Sequence, residues 1–327
     1  MCYIYLAMVK SNVELDAVAG DAGAGAGADA GAGAEAGAWA TADPRHAETG
    51  ARATRRHLGT ASASSLLLTV LGEFVLPAGE PVWTSTFLAG LGLLGVEEKA
   101  TRQALARLAR DVWIAPQRSG RRTSWLLTPA GRELLSTGAE RIYGFGTRKA
   151  WAGSWLVVLA SAPEGSRQLR HQLRTRLAWS GLGSLSPGVW ISPHPDRQAE
   201  VCRMLRELGI ADGATSFVAS LGDLGDPKQM ASRAWNLATV ELRYEEFIRQ
   251  VHQLRPDTPQ DTFGAQVRLV QEWRRFPLLD PGLPPELLPD PWTGATAAAL
   301  FRSRHTSWKS AADAAWHALC DVSAPVG

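Results

Sequence analysis

The stretch STFLAGLGLLGVEEKATRQALARLARDVWIAPQRSGRRTSWLL, residues 85–127, decides the fold of the first ordered part of the chain. Its pattern predicts a short apolar helix over 85–94, a tight turn at a glycine and a second helix that ends near Arg110. Two short strands over 112–115 and 123–127 follow, separated by a turn that contains proline, glycine and three arginines. The order helix, turn, helix, hairpin is typical of a winged helix-turn-helix.

The second helix of this stretch has an apolar face and a basic face. Helical spacing places Ala104, Leu105, Leu108 and Val112 together, so we expect all four to face the core. Between residues 99 and 122 there are seven lysines and arginines and one acid, a net charge of +6 in a chain whose total is +2. Such concentrated charge favours binding to nucleic-acid phosphates. A solvated basic surface is the alternative that charge alone leaves open.

The side chains on the basic face are of the types that bind DNA. Arginine and glutamine read guanine and adenine edges in the major groove, whereas other basic side chains hold phosphates or enter the minor groove. A dimer would present two such helices about one DNA turn apart, so the expected partner is a double-stranded, near-palindromic operator. The predicted DNA-binding residues lie on the second helix and the hairpin: Lys99, Arg102, Gln103, Arg107, Arg118, Arg121 and Arg122.

Length and composition limit the class of protein. A chain of 327 residues has room for two or three domains. Its three cysteines are far apart, which gives neither a disulfide framework nor a zinc site and favours a reducing cytosol. No apolar run approaches the ~18 residues of a membrane span, and the apolar start of the chain lacks the features of a signal peptide. We therefore expect a cytoplasmic protein without membrane contact.

The first sixty residues differ in composition from the rest. Over 17–40 all but five positions are glycine or alanine, and such a segment has too little to bury to offset its ordering entropy. We predict that residues 1–60 are a disordered, Gly/Ala-rich extension. Translation could begin at Met8 or downstream of it.

The remainder divides into three predicted domains, which make the fold class α+β. The winged helix-turn-helix is expected over 61–146. An unbroken apolar strand at 154–163 opens a β-α-β-α-β order, which predicts a small ferredoxin-like domain over 150–226. From 227 to 322 the pattern predicts a helical C-terminal domain with a proline-rich stretch inside it.

Several long blocks of the ordered part carry a family resemblance. They lie within residues 64–320 and include TRQALARLARDVWI, GRRTSWLLTPAGRELL, LSPGVWISP and EWRRFPLLDPGLPPELLP. Together they resemble the phenylacetic acid degradation repressor family, the PaaX-type regulators. The resemblance implies a central domain similar to the CRISPR-associated Cas2 nucleases, a homodimer, and repression of phenylacetate-type catabolic genes. It also implies release from the operator by an acyl-CoA effector, phenylacetyl-CoA.

An acyl-CoA effector would need cations for its phosphates and an apolar slot for its acyl group. Both types of side chain occur close together on two predicted helices of the C-terminal domain. The predicted ligand-binding residues are Arg243, Tyr244, Trp273, Arg274 and Arg275. The alternative is that Trp273 packs in the helical core while the arginines hold the proline-rich stretch.

The sequence offers no catalytic constellation. It has no metal-spaced histidine pair, no nucleophile elbow and no phosphate-binding glycine loop. Cas2-type nucleases carry an aspartate at the end of the first strand, where this chain has Ala160 and Ser161, and a two-metal site needs clustered carboxylates. We expect that the protein is not an enzyme and binds neither a metal nor a cofactor. The central domain is then expected to serve as scaffold and dimer interface. The alternatives are a regulator of another pathway and a metal-dependent nuclease.

Overall fold

The structure, a computed structural model, describes residues 61–146 and 150–323. The predicted disorder of 1–60 therefore concerns residues outside this description. The described chain forms two compact units. Residues 61–71 and Gly79–Leu134 make the first unit, and Gly72–Ala78 with the described residues from 135 onward make the second. The three-domain division made from the sequence stays a prediction.

The first unit combines helices with a small sheet. Its first helix, α1, begins after Ser62, whose side chain accepts a hydrogen bond from the backbone N–H of Ser65. The strands form an antiparallel sheet in the order β1-β3-β2. This is the helix, turn, helix, hairpin order that the sequence predicted. The elements are α1 (Ala63–Val70), β1 (Val82–Trp83), α2 (Thr84–Gly92), α3 (Glu98–Arg110), β2 (Ile114–Ser119), β3 (Arg122–Leu127) and α4 (Pro129–Tyr143), whose first residues belong to this unit.

The β2–β3 hairpin is longer than predicted. Its last pair is Ser119 with Arg122, so that the connection is only two residues, Gly120 and Arg121. Gly120 has a φ of +58°, which suits glycine in a tight hairpin turn. The predicted seven-residue turn was wrong because Pro116 lies within β2, an edge strand where proline is tolerated.

The apolar face predicted for the second helix is confirmed at three of four positions. Ala104, Leu105 and Leu108 are buried, but Val112 is 62% exposed. The helix ends at Arg110, as predicted, which is two residues before Val112. Val112 itself adopts a φ of +61°, so helical spacing no longer applies there. The backbone N–H of Trp113 donates to the carbonyl of Leu108 at 3.0 Å, which closes the helix end.

Replacing Val112 by glycine should stabilise the first unit. A side chain with a Cβ costs about 1–2 kcal/mol in the left-handed region, and this valine is too exposed to lose much packing. Glycine costs roughly 0.5–1 kcal/mol in chain entropy, which leaves a net gain of up to about 1.5 kcal/mol. Thermal unfolding of Val112→Gly, with Val112→Ala as the control that keeps the Cβ, measures this gain. A Tm at or below that of the wild type would contradict it.

The second unit contains a four-stranded antiparallel sheet. The spatial order β5-β6-β4-β7 and the chain order β-α-β-β-α-β are those of a ferredoxin-like fold, as the sequence predicted. The predicted strand at 154–163 ends earlier, at Leu159, and the predicted second strand is a hairpin of two. The elements are β4 (Ser154–Leu159), α5 (Arg167–Trp179), β5 (Gly183–Ser186), β6 (Val189–Ser192), α6 (Gln198–Glu207) and β7 (Thr215–Ser220).

The two faces of this sheet contribute to different apolar clusters. Leu156 and Val158 of β4 pack with side chains of α5 and α6, such as Val201. Trp155 and Ile191 belong to the cluster formed with the C-terminal helices. Because successive residues of a strand point to opposite faces, β4 supplies two cores at once. This explains why its sequence is uniformly apolar instead of alternating.

The C-terminal part of the second unit is helical, as predicted. Helix α9 begins with a capping box in which Thr258 and Asp261 bond each other's backbone N–H groups. Its last residue, Trp273, stacks on Phe301 with ring centroids 4.6 Å apart. The helices are α7 (Pro227–Ala234), α8 (Leu237–Gln253), α9 (Pro259–Trp273), the single turn α10 (Phe276–Leu279) and α11 (Thr293–Ser323).

Candidate nucleic-acid interface

Helix α3 has a buried side and an exposed side. Its buried residues are Thr101, Ala104, Leu105 and Leu108, whose spacing places them together on one side. The predicted two-faced helix is therefore confirmed, while contact with DNA stays a prediction. The four predicted DNA contacts on this helix are all exposed: Lys99, Arg102, Gln103 and Arg107.

Arg102 has an acidic neighbour on its own helix. Its Nη2 lies 3.6 Å from Oε2 of Glu98, and both side chains are more than half exposed. An exposed i,i+4 ion pair contributes only about 0.3–0.5 kcal/mol. Arg102 can therefore exchange this partner for a phosphate or a base edge with little loss of stability.

The hairpin adds three exposed arginines to this surface. Arg118 lies on β2, Arg121 occupies the two-residue turn and Arg122 begins β3. The guanidinium carbon of Arg122 lies 5.2 Å from the centroid of the Trp83 ring, which is a cation–π distance. Arg122 is thus partly fixed by the sheet, whereas Arg121 is at the tip of the hairpin.

Two side-chain hydrogen bonds attach the hairpin to the start of α2. The hydroxyl of Thr84 donates to the carbonyl of Thr123 at 2.8 Å, and the indole N–H of Trp125 donates to that hydroxyl oxygen at 2.9 Å. Thr84 is the first residue of α2. The hairpin is therefore tied to the helical part of the same compact unit.

The turn between β3 and α4 shows why a Thr-Pro-x-Gly motif follows the hairpin. The hydroxyl of Thr128 accepts from the backbone N–H of Gly131 at 3.0 Å and donates to the carbonyl of Val112 at 2.6 Å. A Cβ on Gly131 would lie 2.0 Å from the carbonyl oxygen of Trp113. The motif therefore holds the helix end of α3 against the start of α4, and it requires glycine for a close backbone approach.

The aromatic members of the predicted ligand set lie in the helical core. Tyr244 and Trp273 are each 1% exposed, and their ring centroids are 6.4 Å apart. The hydroxyl of Tyr244 donates to Oδ2 of Asp280 at 2.6 Å. Their burial shows the packing role that the sequence left open as the alternative, and contact with a ligand stays a prediction.

The arginines of the predicted ligand set differ in their surroundings. Arg274 is 9% exposed, whereas Arg243 and Arg275 are half-buried. Nη1 of Arg275 lies 3.1 Å from Oε2 of Glu272, so part of its charge is already offset. The structure thus places the arginines on the same helical part as the aromatic residues without directing all of them to one cavity.

A cavity of about 430 Å³ in the second unit includes Tyr244 in its wall. Phe145 adds a second aromatic ring, and Arg141 and Arg197 add cations. Nη1 of Arg197 donates to the carbonyl of Ser180 at 2.7 Å. Burial, together with the charge of Arg141, lowers the pKa of the Arg197 guanidinium. Apart from Tyr244, the sequence did not single out these lining residues, because they come from segments far apart in the chain.

Residues 61–146 and 150–323 show neither a metal-binding cluster nor a membrane-spanning helix. They contain no group of three or more His, Cys, Asp and Glu side chains placed to bind a metal ion. At the end of β4 the structure has the buried Ala160, whose N–H donates to the carbonyl of Gly188 at 2.9 Å. In the same residues, helices long and apolar enough to cross a membrane do not occur.

The exposed basic helix with its hairpin, the ferredoxin-like sheet and the helical C-terminal part define a multidomain protein with a helix-turn-helix-like unit at its start. Three family models match this chain: PaaX-like protein at residues 62–131, PaaX protein central Cas2-like domain at 148–231, and PaaX-like protein C-terminal domain at 235–318. The chain belongs to the PaaX family, which confirms the resemblance drawn from the sequence blocks.

One curated relative supports this assignment, and one solved structure shares the fold. The chain is 32% identical over 250 residues to the transcriptional repressor PaaX of Escherichia coli (strain K12), which covers 73% of this chain and 78% of the relative. The uncharacterized protein Rv0674 from Mycobacterium tuberculosis is 22% identical, with a TM-score of 0.52 over 75% of this chain and 96% of that protein. The second likeness concerns the fold alone.

Proposed function

We propose that this protein is a transcriptional repressor that binds operator DNA through a winged helix-turn-helix in the first unit. The observation that carries the proposal is the exposure of all seven predicted DNA contacts on α3 and the β2–β3 hairpin of one compact unit. The similarity to a transcriptional repressor supports it. Such a repressor would work in the cytoplasm, as the sequence analysis predicted.

The proposed operator is near-palindromic and the proposed binding form is a homodimer. Helix α3 has 13 residues, and a recognition helix of that length reaches only a few base pairs. Two copies related by a twofold axis would read two half-sites about one DNA turn apart. This doubling would give the affinity and selectivity that a repressor needs.

The proposed targets are genes of aromatic-acid catabolism, and the proposed effector is an acyl-CoA such as phenylacetyl-CoA. Membership in the PaaX family supports this choice. The cavity beside Tyr244 offers aromatic and cationic side chains together, which suits an aromatic acyl group joined to phosphates. Of the predicted ligand residues, Tyr244 lines this cavity, whereas Arg243, Trp273, Arg274 and Arg275 are not part of its wall.

The proposal is tested by fluorescence anisotropy with DNA from upstream of the gene, at one stated salt concentration. We expect tight binding that phenylacetyl-CoA relieves and that free phenylacetate or CoA does not. Tight binding without any response to phenylacetyl-CoA would keep the repressor and reject the effector. Binding no tighter than to a scrambled duplex would require a genome-wide selection and, if that also failed, would reject the repressor.

Replacing Arg121 by alanine should reduce the salt dependence of operator binding. An arginine that neutralises one phosphate releases counterions, so its loss lowers the slope of log K against log salt by about 1. The loss should be similar for all sequences, because a phosphate contact carries no sequence information. Titrations at four salt concentrations on operator and scrambled DNA measure both effects. An unchanged slope would remove the hairpin tip from the interface.

A further inference from the structure

A buried carboxylate in the second unit is hydrogen-bonded by three side chains from distant parts of the chain. Glu73 is 4% exposed. Nε2 of Gln266 donates to its Oε1 at 2.9 Å, Nε2 of His305 lies 2.8 Å from the same oxygen, and the hydroxyl of Tyr143 donates to its Oε2. We call these four residues the Glu73 cluster.

The Glu73 cluster is organised to keep its carboxylate charged. Burial raises the pKa of Glu73, but the hydrogen bond and charge of His305, together with the bonds from Tyr143 and Gln266, outweigh burial and lower the pKa overall. Gln266 is fully buried, and its Oε1 has no hydrogen-bond partner among the described residues. The hydrogen bond to Glu73 therefore fixes the orientation of the Gln266 side-chain amide, although the amide oxygen has no partner there.

Glu73 lies in a π-helical turn, Leu71–Val75, which follows α1 and precedes a last helical turn, Leu76–Ala78. A π turn is an α-helix with one extra residue inserted, and such turns are rare and frequent at functional sites. Converting it to an α turn would shift the register by one residue, or about 100° of rotation. That rotation would withdraw the carboxylate from its partners, so the bonds of the Glu73 cluster are compatible with the π register and not with the α register.

The chain passes between the two units at three points, and members of the Glu73 cluster follow the first and the third of them. Segment Gly72–Ala78, which includes Glu73, belongs to the second unit, while the residues before and after it belong to the first. Helix α4 passes from the first unit to the second after Leu134 and ends at Tyr143. The remaining donors, Gln266 and His305, lie on α9 and α11 within the second unit.

A short series of contacts leads from the cavity to the Glu73 cluster. Tyr244 lines the cavity and lies beside Trp273, with ring centroids 6.4 Å apart. The indole N–H of Trp273 donates to the carbonyl of Ile142 at 3.1 Å, next to Tyr143. A ligand that displaced Tyr244 would therefore disturb the end of α4 and the hydrogen bond from Tyr143 to Glu73.

We propose that the Glu73 cluster and its π turn form the two-state element that passes the state of the second unit to helix α1 of the first. The cluster holds the π register when the carboxylate has all its donors, and the α register becomes accessible when a donor is withdrawn. The coupling to operator release rests on the function proposed above. The existence of the two-register turn does not, and it is tested separately.

The test compares the wild type with Glu73→Gln, Tyr143→Phe and a control, Glu241→Gln, all in the full chain. Glu241 is also a carboxylate of the second unit that accepts a hydrogen bond, from Thr293 at 3.0 Å. Hydrogen exchange read by mass spectrometry reports on residues 63–78 without DNA or ligand. We expect exchange there to accelerate at least tenfold in Glu73→Gln and severalfold in Tyr143→Phe, and to stay unchanged in the control.

Operator titrations with and without phenylacetyl-CoA form the second arm. The factor by which the effector raises the operator Kd should be at least tenfold smaller in both cluster variants than in the wild type. The effector Kd of each variant, measured by calorimetry, should stay within about threefold of the wild-type value. Unchanged exchange in 63–71 in a folded Tyr143→Phe would overturn the proposal, even if residues near Gln266 exchanged faster. If the wild-type protein does not bind the operator, or does not respond to the effector, the proposed function is rejected. The hydrogen-exchange experiment would still test whether the Glu73 cluster controls the π turn.

Discussion

Operator affinity is expected to fall about 100-fold when Arg102 and Arg107 are both replaced by alanine. Both are exposed on α3, one on each flank of its buried stripe. An arginine that binds a guanine edge contributes about 1–3 kcal/mol, so two of them give about 2–6 kcal/mol, and a 100-fold loss (about 2.8 kcal/mol) lies in the lower part of that range. Fluorescence anisotropy on the operator, at fixed salt, measures the loss. The loss on scrambled DNA should be smaller, because base readout is then absent.

A matched pair of arginines separates base readout from net charge. Arg170 and Arg174 are exposed on α5, and Arg170→Ala/Arg174→Ala changes the net charge by the same two units. This control should bind the operator within about twofold of the wild type. An equal loss in the two double variants would show that only total charge matters and would remove α3 as the reading element. We expect both double variants to unfold with the wild-type Tm, which would show that neither pair of substitutions acts by destabilising the fold.

The regular elements could be predicted from the sequence because each depends on local spacing. Ala104, Leu105 and Leu108 recur at helical intervals and are buried as expected. Val112 continues the same spacing but lies beyond the helix end, in a conformation that valine seldom adopts. The pattern contains no signal for a non-glycine residue in the left-handed region, so the expectation failed there. The turn predicted to begin at Pro116 failed for a similar reason, because proline, which is common in turns, is also tolerated on an edge strand.

The residues that act across distance could not be predicted. Glu73 and His305 are 232 positions apart, yet they share a hydrogen bond. In the sequence Glu73 is one acid in an apolar helix, and its burial depends on three elements that pack around it. The cavity beside Tyr244 likewise draws Arg141 and Arg197 from separate segments. Such groupings follow from tertiary packing, whereas the exposed residues predicted to bind DNA belong to one helix and one hairpin.

Replacing Gly131 by alanine should destabilise the first unit by about 3 kcal/mol or more. The new Cβ would lie 2.0 Å from the carbonyl oxygen of Trp113 and 2.9 Å from its carbonyl carbon. Ordinary overpacking against side chains costs about 1–3 kcal/mol, and here the obstacle is backbone on both sides. To make room, α4 and the end of α3 must separate, which breaks the hydrogen bonds that Thr128 makes to both. Chemical denaturation followed by circular dichroism measures the loss.

Gly92→Ala provides the matched control in the same unit. Gly92 is also the glycine of a helix, the last residue of α2, but a Cβ there meets nothing within 4 Å. Alanine at a compatible helical site stabilises by about 0.4–1 kcal/mol through the unfolded chain, so the two substitutions should act in opposite directions. A Gly131→Ala variant as stable as the wild type would show that α4 can move away from Trp113 freely. In that case the helix end of α3 would not be held by α4, and the position of the residues predicted to bind DNA would depend on the hairpin alone.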